Sequence, residues 1–447
     1  MLEPGLDPST VPRRASLWSA ILGLAWPMML SGMVAAMLQN GQIWILGRDS
    51  GDGRALFLMP MLQPYFLLLI AIMEGLAVTN QVFSARSATQ WPRKRVWQAT
   101  LLLAAGGVLM ISLLALGAHA LVGSVPQLIG ADMREVWPVL PGYLLSLIPL
   151  LCFEMANAAL RGQGATVPGL VLSGVAAVIN LAVCYGSLTV LRLGFMSVAL
   201  GNLVSHGLAL VPVYGLLWLR TREGERGPTG VFRARLLALV QDAGLPVFLT
   251  LVVAFASSAV LFPALAGISG DNSVALLLVL KLRLLFVIPA VALGSAVAIR
   301  INQQLEGDPT QRRVLLREGL LLTACSYLVL VLLAWGVQPA LMELMSQRSG
   351  VRQAGLQLLQ WLLPTFFLTA LNTMLQTLLE QLGRGRQVLI VTLLMEATLG
   401  LAILLGLSLG VSWVMGCMLA SAVLYALIFL REVVCLHHAL SEAGHAG

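Results

Sequence analysis

The sequence predicts an all-α polytopic membrane protein of twelve transmembrane helices, arranged as two six-helix lobes. Three observations predict it. The first is composition: 58% of the 447 residues are hydrophobic, 11% are charged, and the mean hydropathy is +0.89. A soluble domain clothes its surface with polar side chains, and this chain has too few of them. The second is run length. Apolar runs of 18 residues or more recur along the chain, and ~20 residues rising 1.5 Å each cross a ~30 Å hydrocarbon core. Barrel strands would show ~10-residue dyad alternation, which is missing. The third is an internal repeat, taken up below.

In chain order, the spans are expected at roughly 17–46, 55–85, 96–122, 133–161, 166–191 and 194–219. The second six are expected at roughly 243–268, 272–303, 314–339, 352–382, 387–409 and 411–436. The first apolar run is too long for a signal core and no small-residue cleavage site follows it, so it reads as the first span. Between the two sets lies Arg220–Asp242, RTREGERGPTGVFRARLLALVQD, with five arginines (Arg220, Arg222, Arg226, Arg233, Arg235). The expected organisation is a first lobe at 1–219, a cytoplasmic linker at 220–242 and a second lobe at 243–447, most simply a monomer.

An even span count puts both termini on one side, and charge says which. With cytoplasmic termini, nineteen of the twenty-seven Lys/Arg residues fall on cytoplasmic segments, including the five in the linker, and six fall opposite. Lys281 and Arg283 lie inside a span. Basic residues are retained in the cytoplasm, so the termini and the linker are expected there, in the cytoplasmic membrane. The net charge of +7 is accounted for by these basic loops and needs no nucleic acid partner.

The repeat appears as matched pairs. Trp26-Pro27-Met28 corresponds to Leu245-Pro246-Val247, and Gly75-Leu-Ala-Val to Gly294-Ser-Ala-Val, each at an offset of 219. Gly162-Gln-Gly164 corresponds to Gly383-Arg-Gly385 at 221. Six is even, so duplicated halves share orientation and are related by an axis along the membrane normal, with a substrate cleft where they meet.

Five cysteines (Cys152, Cys184, Cys325, Cys417, Cys435) fall in or at the ends of spans, without metal or disulfide spacing, and read as small buried apolar residues. Histidines at 119, 206, 437, 438 and 445 are scattered, which argues against a membrane-embedded transferase; no catalytic residue, metal site or organic cofactor is expected. No GxxxxGK[ST] loop is present for driving transport with ATP. Pro27, Pro149, Pro246, Pro289 and Pro364 fall inside spans, where each removes a backbone donor and bends its helix. Trp44, Trp361 and Met28-Met29 fit either a cleft for bulky apolar ligands or contact with core and membrane lipid.

Several segments resemble the multidrug and toxic compound extrusion (MATE) family, which sits in a larger group with lipid-linked oligosaccharide flippases. Gly23-Leu-Ala-Trp-Pro27 is similar to the family's opening segment, and Ile45-Leu-Gly47-Arg48 to the end of its first helix. Leu160-Arg-Gly-Gln-Gly164 resembles the turn after the fourth helix, and Ala243-Gly-Leu-Pro246 the opening of the second lobe. Leu282-Arg283, Ile288-Pro289 and Leu293-Gly294 resemble the eighth helix. The resemblance implies export of an amphipathic small molecule by alternating access, with H⁺ or Na⁺ as coupling ion. Flipping of a lipid-like product and a transport-dead scaffold are the alternatives.

The chain departs from the family at its ion sites. Where members commonly carry an acid near the end of the first helix, this chain has Gln42. An Asn in the fifth helix is usually followed four residues later by Asp, and here Asn180 is followed by Cys184. The acidic position some members carry in the seventh helix falls near Ala254, without a carboxylate. Gln42 and Asn180 hydrogen-bond but do not titrate, so the usual coupling machinery is expected to be absent.

Charges placed where that role could have moved are Glu74, Glu154 and Glu396. Each costs on the order of 2.5–3.5 kcal/mol near the bilayer centre and so should face protein or water. Glu74 and Glu154 have a second reading, as helix-end groups paired with an arginine such as Arg86 or Arg161. Lys281 either contacts an anionic or zwitterionic substrate or pairs with an acid such as Glu74. Arg283 matches a position often basic in the family, which gives it a structural reading beside a ligand one. Asn372 is a further cleft candidate.

Overall fold

The computed structural model describes residues 14–47, 54–121, 136–223, 229–266, 270–304, 309–345 and 349–442. Fourteen α-helices follow one another: α1 (Arg14–Leu46), α2 (Arg54–Arg86), α3 (Lys94–Leu121), α4 (Val136–Ser146), α5 (Ile148–Gly162), α6 (Thr166–Thr189), α7 (Met196–Thr221), α8 (Thr229–Leu239), α9 (Leu245–Ala266), α10 (Gly270–Gln303), α11 (Pro309–Met345), α12 (Ser349–Leu379), α13 (Gly385–Leu405) and α14 (Val411–Glu442). Helices are the only solution available in hydrocarbon short of a closed barrel, because every backbone donor and acceptor must be paired internally.

Eleven stretches are long and apolar enough to cross a membrane, and one of them, Ser349–Leu405, runs for 57 residues. At 1.5 Å per residue it would be ~85 Å long, far more than one crossing needs. Gly383, with φ 90°, breaks it between α12 and α13. Twelve spans result, with α4 and α5 forming one span broken at Leu147. Pro149 sits at the start of α5, where its missing N–H costs no helical bond.

The packing repeats. Helix α1 lies against α6 of its own half and α10 of the other; α9 lies against α13 of its own half and α2 of the other. Likewise α2 pairs with α5, and α10 with α12. The turn after α5 places Gly164 at φ 80°, and the turn after α12 places Gly383 at φ 90°. Left-handed backbone of this kind closes helix C-termini and favours glycine. The backbone therefore pairs Gly164 with Gly383, an offset of 219 rather than the 221 read from the letters, in register with the other two matches.

Within the first half, α2 and α5 approach closely because Gly162 has no side chain. A Cβ there would collide with the Gln81 carbonyl oxygen and lie 2.8 Å from Ser84 Cβ. Gly162→Val is accordingly expected to force these helices apart and destabilise the protein by about 3 kcal/mol or more, in the range of overpacked cores. A thermal melt in detergent measures this; an unchanged transition would contradict the packing.

Large apolar side chains such as Phe83, Phe153, Tyr327, Phe366 and Phe429 fill the interior. The periphery is also apolar: Val178, Val211, Leu332, Leu394 and Leu427 are all exposed, as lipid-facing positions should be. The cysteine expectation is corrected by this surface. Cys184 is buried, but Cys325 and Cys435 are exposed, since an apolar thiol suits lipid as well as core. Trp44 and Trp361 are exposed, whereas Met28 and Met29 pack partly buried against the core.

Part of the expected linker is helical. In α8, Phe232 packs edge-on to Phe83, which stacks on Trp91 at 4.5 Å. The Arg95 guanidinium lies over Phe232 and that of Arg235 over Trp91. These cation–π contacts dock α8 on the α2–α3 corner. A π-turn, Val240–Gly244, then leads into α9.

Candidate functional site

Three polar groups interrupt the apolar interior. The first joins α1, α6 and α7. Gln42 Nε2 donates to Asn180 Oδ1 at 2.9 Å and to Asn202 Oδ1 at 3.1 Å. Asn180 Nδ2 donates to Asn202 Oδ1 at 2.9 Å and to Ser205 Oγ at 3.2 Å. His206 Nδ1 lies 3.2 Å from both Ser205 Oγ and the Asn202 carbonyl. Cys184 Sγ and Ser197 Oγ are 3.7 Å apart. All of these residues are buried. Amide spacing allows the close approach, because Gly201 of α7 sits against Asn180. The network contains no carboxylate: its amides and hydroxyls satisfy one another as neutral donors and acceptors, and His206 is its one histidine.

The second group seals the two halves together. Gln81 Nε2 donates to Gln381 Oε1 at 3.0 Å, and Gln381 Nε2 donates to Ser295 Oγ at 2.8 Å. Asn302 Nδ2 donates to the Gln381 carbonyl, and Arg86 Nε donates to Asn302 Oδ1 at 2.9 Å. Gln303 Nε2 reaches the Gly162 carbonyl at 2.9 Å, and Trp18 Nε1 reaches Glu318 at 3.0 Å. Every one of these bonds between halves lies near the start of α1 or the ends of α2, α5, α10 and α12, which is one end of the bundle. Gly75 and Gly244 let backbones meet there: a Cβ on Gly75 would stand 2.7 Å from the Gly244 carbonyl oxygen.

Glu74 and Glu154 border this seal. Glu154 pairs with Arg161 at 3.5 Å and accepts from Asn157, in line with the helix-end reading. Glu74 lies within electrostatic range of Arg161, Glu154 and the buried Glu380. Arg86, the other partner considered for it, bonds to Asn302 instead.

The third group belongs to the second half. Arg283 Nε of α10 donates to Thr369 Oγ1 of α12 at 3.1 Å. One turn on, Asn372 Nδ2 donates to the Ala422 carbonyl of α14 at 2.9 Å. The Tyr425 hydroxyl of α14 lies 3.4 Å from Glu396 Oε1 and from the Thr392 carbonyl oxygen of α13, and its one proton is shared between these two acceptors. Arg283 is within electrostatic range of Glu396.

The structure thus brings Gln42 to Asn180, sets Glu74 near Glu154, and gathers Arg283, Asn372 and Glu396 in one bundle. Lys281 falls outside the described side chains. Sequence reasoning missed Asn202, Ser205, His206, Gln81, Gln381, Asn302, Thr369 and Tyr425. The 219 offset carried one usable signal, since it superimposes His206 on Tyr425. Among the described residues no three His, Cys, Asp or Glu side chains gather as metal ligands.

Twelve spans, matched packing of the two halves and a seal at one end define a two-lobed helical membrane protein. Residues 246–406 match the MatE family model. That match lies in the second half, and the fold is like that of MATE transporter structures along nearly the whole chain. A Vibrio cholerae MATE transporter, VcmN in an aspartate-to-asparagine mutant form, is similar with a TM-score of 0.84 and 17% identity, covering 97% of this chain and 98% of that one. A structure described as the outward-facing conformation of a multidrug resistance MATE family transporter gives 0.77 and 15%, covering 97% and 99%. A MOP superfamily transporter from Pyrococcus furiosus, described as having a binding pocket of reverse polarity, gives 0.78 and 15%, covering 97% and 100%. At these identities the likeness is one of fold. No curated relative matches the sequence.

Proposed function

We propose that this chain is a secondary active exporter that moves an amphipathic small molecule out across the cytoplasmic membrane by alternating access. The observation that carries the reading is the one-ended seal. All the hydrogen bonds between halves described above lie at one end, where Arg86, Arg161, Arg300, Arg384 and Arg386 also fall. Retention of basic residues makes that end cytoplasmic, with the termini and α8 on the same side. The state described here is then closed to the cytoplasm and outward-facing. Transport follows when the seal parts and the opposite end closes, the halves moving about their shared axis.

The neutral network around Gln42 sets a limit on coupling. Exchange of H⁺ needs a group that binds and releases it; Gln42, Asn180, Asn202 and Ser205 do not, which leaves the His206 imidazole as the network's proton-exchanging side chain. Coupling through Na⁺ is assigned to the carboxylates elsewhere, among Glu74, Glu154 and Glu396, and coupling through H⁺ to these or to His206. In proteoliposomes loaded with cationic and zwitterionic dyes, a pH or Na⁺ gradient is expected to drive dye movement. Gln42→Ala is expected to leave the response to the gradient in place. Absence of dye movement under every gradient would overturn the exporter reading.

A further inference from the structure

The second half carries a charged counterpart of the neutral network. At the offset of 219, His206 of α7 falls on Tyr425 of α14, Asn202 on Ser421, and Ala177 of α6 on Glu396 of α13. The corresponding pair of helices therefore supplies each group, but one holds no carboxylate at these positions and the other does. An arginine completes the difference: Arg283 enters from α10, with Nε fixed by Thr369.

Four features of this group are unmet. Asn372 is 9% exposed; its amide nitrogen is bonded to the Ala422 carbonyl, and its Oδ1 has no partner. Thr392 is 4% exposed and its Oγ1 has no partner. Among the described residues, Glu396 has only the Tyr425 hydroxyl, and the terminal nitrogens of Arg283 have no partner. Arg283 and Glu396 sense each other electrostatically yet form no direct ion pair. A buried polar atom left unpaired costs about 1–3 kcal/mol, and an unanswered charge costs more.

We propose that this group binds the zwitterionic head of the substrate, an anionic group on Arg283 and an amine on Glu396, Asn372 and Thr392. The inference rests on the exporter reading and specifies its substrate class. A purely cationic ligand at Glu396 meets the repulsion of Arg283 and leaves the guanidinium unanswered. A purely anionic ligand leaves Glu396 in the same condition. A zwitterion answers both charges at once, and its N–H donors supply what Asn372 Oδ1 and Thr392 Oγ1 lack. Arginine's fork suits a carboxylate or phosphate in two-point contact.

Two dyes that differ by one methyl ester test this. Rhodamine 110 is a zwitterion with free amines, and rhodamine 123, its methyl ester, is a cation. Fluorescence anisotropy with the protein in lipid nanodiscs is expected to show rhodamine 110 bound about tenfold more tightly, equivalent to ~1.4 kcal/mol. Arg283→Gln is expected to abolish the preference, weakening rhodamine 110 and tightening rhodamine 123, and an unchanged size-exclusion profile and thermal melt show that the variant is folded. Arg283→Lys should restore part of it, and Glu396→Gln should weaken both dyes. Equal or tighter binding of rhodamine 123, a preference that survives Arg283→Gln, or no binding of either dye overturns the proposal. Binding is read without a gradient. Failed transport with an intact preference therefore counts against the exporter reading alone, and working transport without the preference counts against this one alone.

Discussion

Mercuric bridging of the variant Gln81→Cys/Gln381→Cys is expected to stop transport almost completely, and excess dithiol is expected to restore it. Gln81 of α2 and Gln381, just beyond α12, meet across the two halves with 3.0 Å between amide nitrogen and oxygen. Gln381 is 2% exposed and is the hub of the seal: it accepts from Gln81 through its side chain and from Asn302 through its backbone, and donates to Ser295. Alternating access requires these positions to separate in every cycle. A covalent tether holds the state in which this end is closed and removes the other. The five native cysteines would first be replaced, with dye efflux from proteoliposomes as the readout. Undiminished efflux from fully bridged protein would mean that the halves do not part here.

The bonds of this seal bear on how it cycles: Gln81–Gln381 and Gln303–Gly162 join neutral groups, while Arg86 on Asn302 and Trp18 on Glu318 each bring one charged partner. Hydrogen bonds between helices in a membrane contribute about 0.6 kcal/mol on average and rarely more than ~1.7 kcal/mol, since the separated groups find other partners. The neutral bonds are thus each weak enough to be broken during a cycle, and those of Arg86 and Glu318, with one charged partner, are the stronger ones. Ion pairs occur at the same end but on its margin. Arg386 meets Asp242 at 3.1 Å and Arg384 meets Glu432 at 3.1 Å, all four more exposed than Gln381. Close glycine contacts, Gly75 with Gly244 and Gly385 with Asp242, bring the backbones near enough for short amide side chains to reach.

Much of the fold was legible because hydropathy and charge act locally along the chain. The twelve spans and the 219-residue repeat could be read from runs of apolar residues and from prolines and glycines at matched positions. The break at Leu147 was not foreseen, because Pro149 inside an apolar run signals a bend without saying whether the helix restarts. For the site, a polar residue in an apolar helix announces only that it must face protein or water. Gln42 and Asn180 were visible in that way, 138 residues apart. Their common partner Asn202 was not, since partnership depends on the rotation and register of α1, α6 and α7. Glu154 was the easier case: Arg161 lies two turns along the same helix, and the pairing is a local one.

That common partner is where the interior of the first half should be most sensitive. Asn202→Leu is expected to lower stability by about 2–3 kcal/mol, more than either Gln42→Leu or Ser205→Ala. Asn202 Oδ1 accepts from both Gln42 and Asn180, so its removal leaves one N–H of each amide unpaired, Gln42 keeping Asn180 Oδ1 and Asn180 keeping Ser205 Oγ, whereas loss of Ser205 leaves one N–H unpaired. Each unpaired N–H costs about 1–3 kcal/mol, tempered by the modest worth of such bonds in membranes. The leucine is also larger at the crowded α6–α7 crossing, where Gly201 already touches Asn180. Combining Asn202→Leu with Gln42→Leu separates these causes. If the hydrogen bond matters, the double variant should be less destabilised than the sum of the singles, with a coupling of about 0.5–1.5 kcal/mol. Thermal unfolding in detergent, at constant pH and lipid, measures all three. Strict additivity would show that Gln42 and Asn202 act independently, and that crowding rather than the neutral network holds α1 to α7.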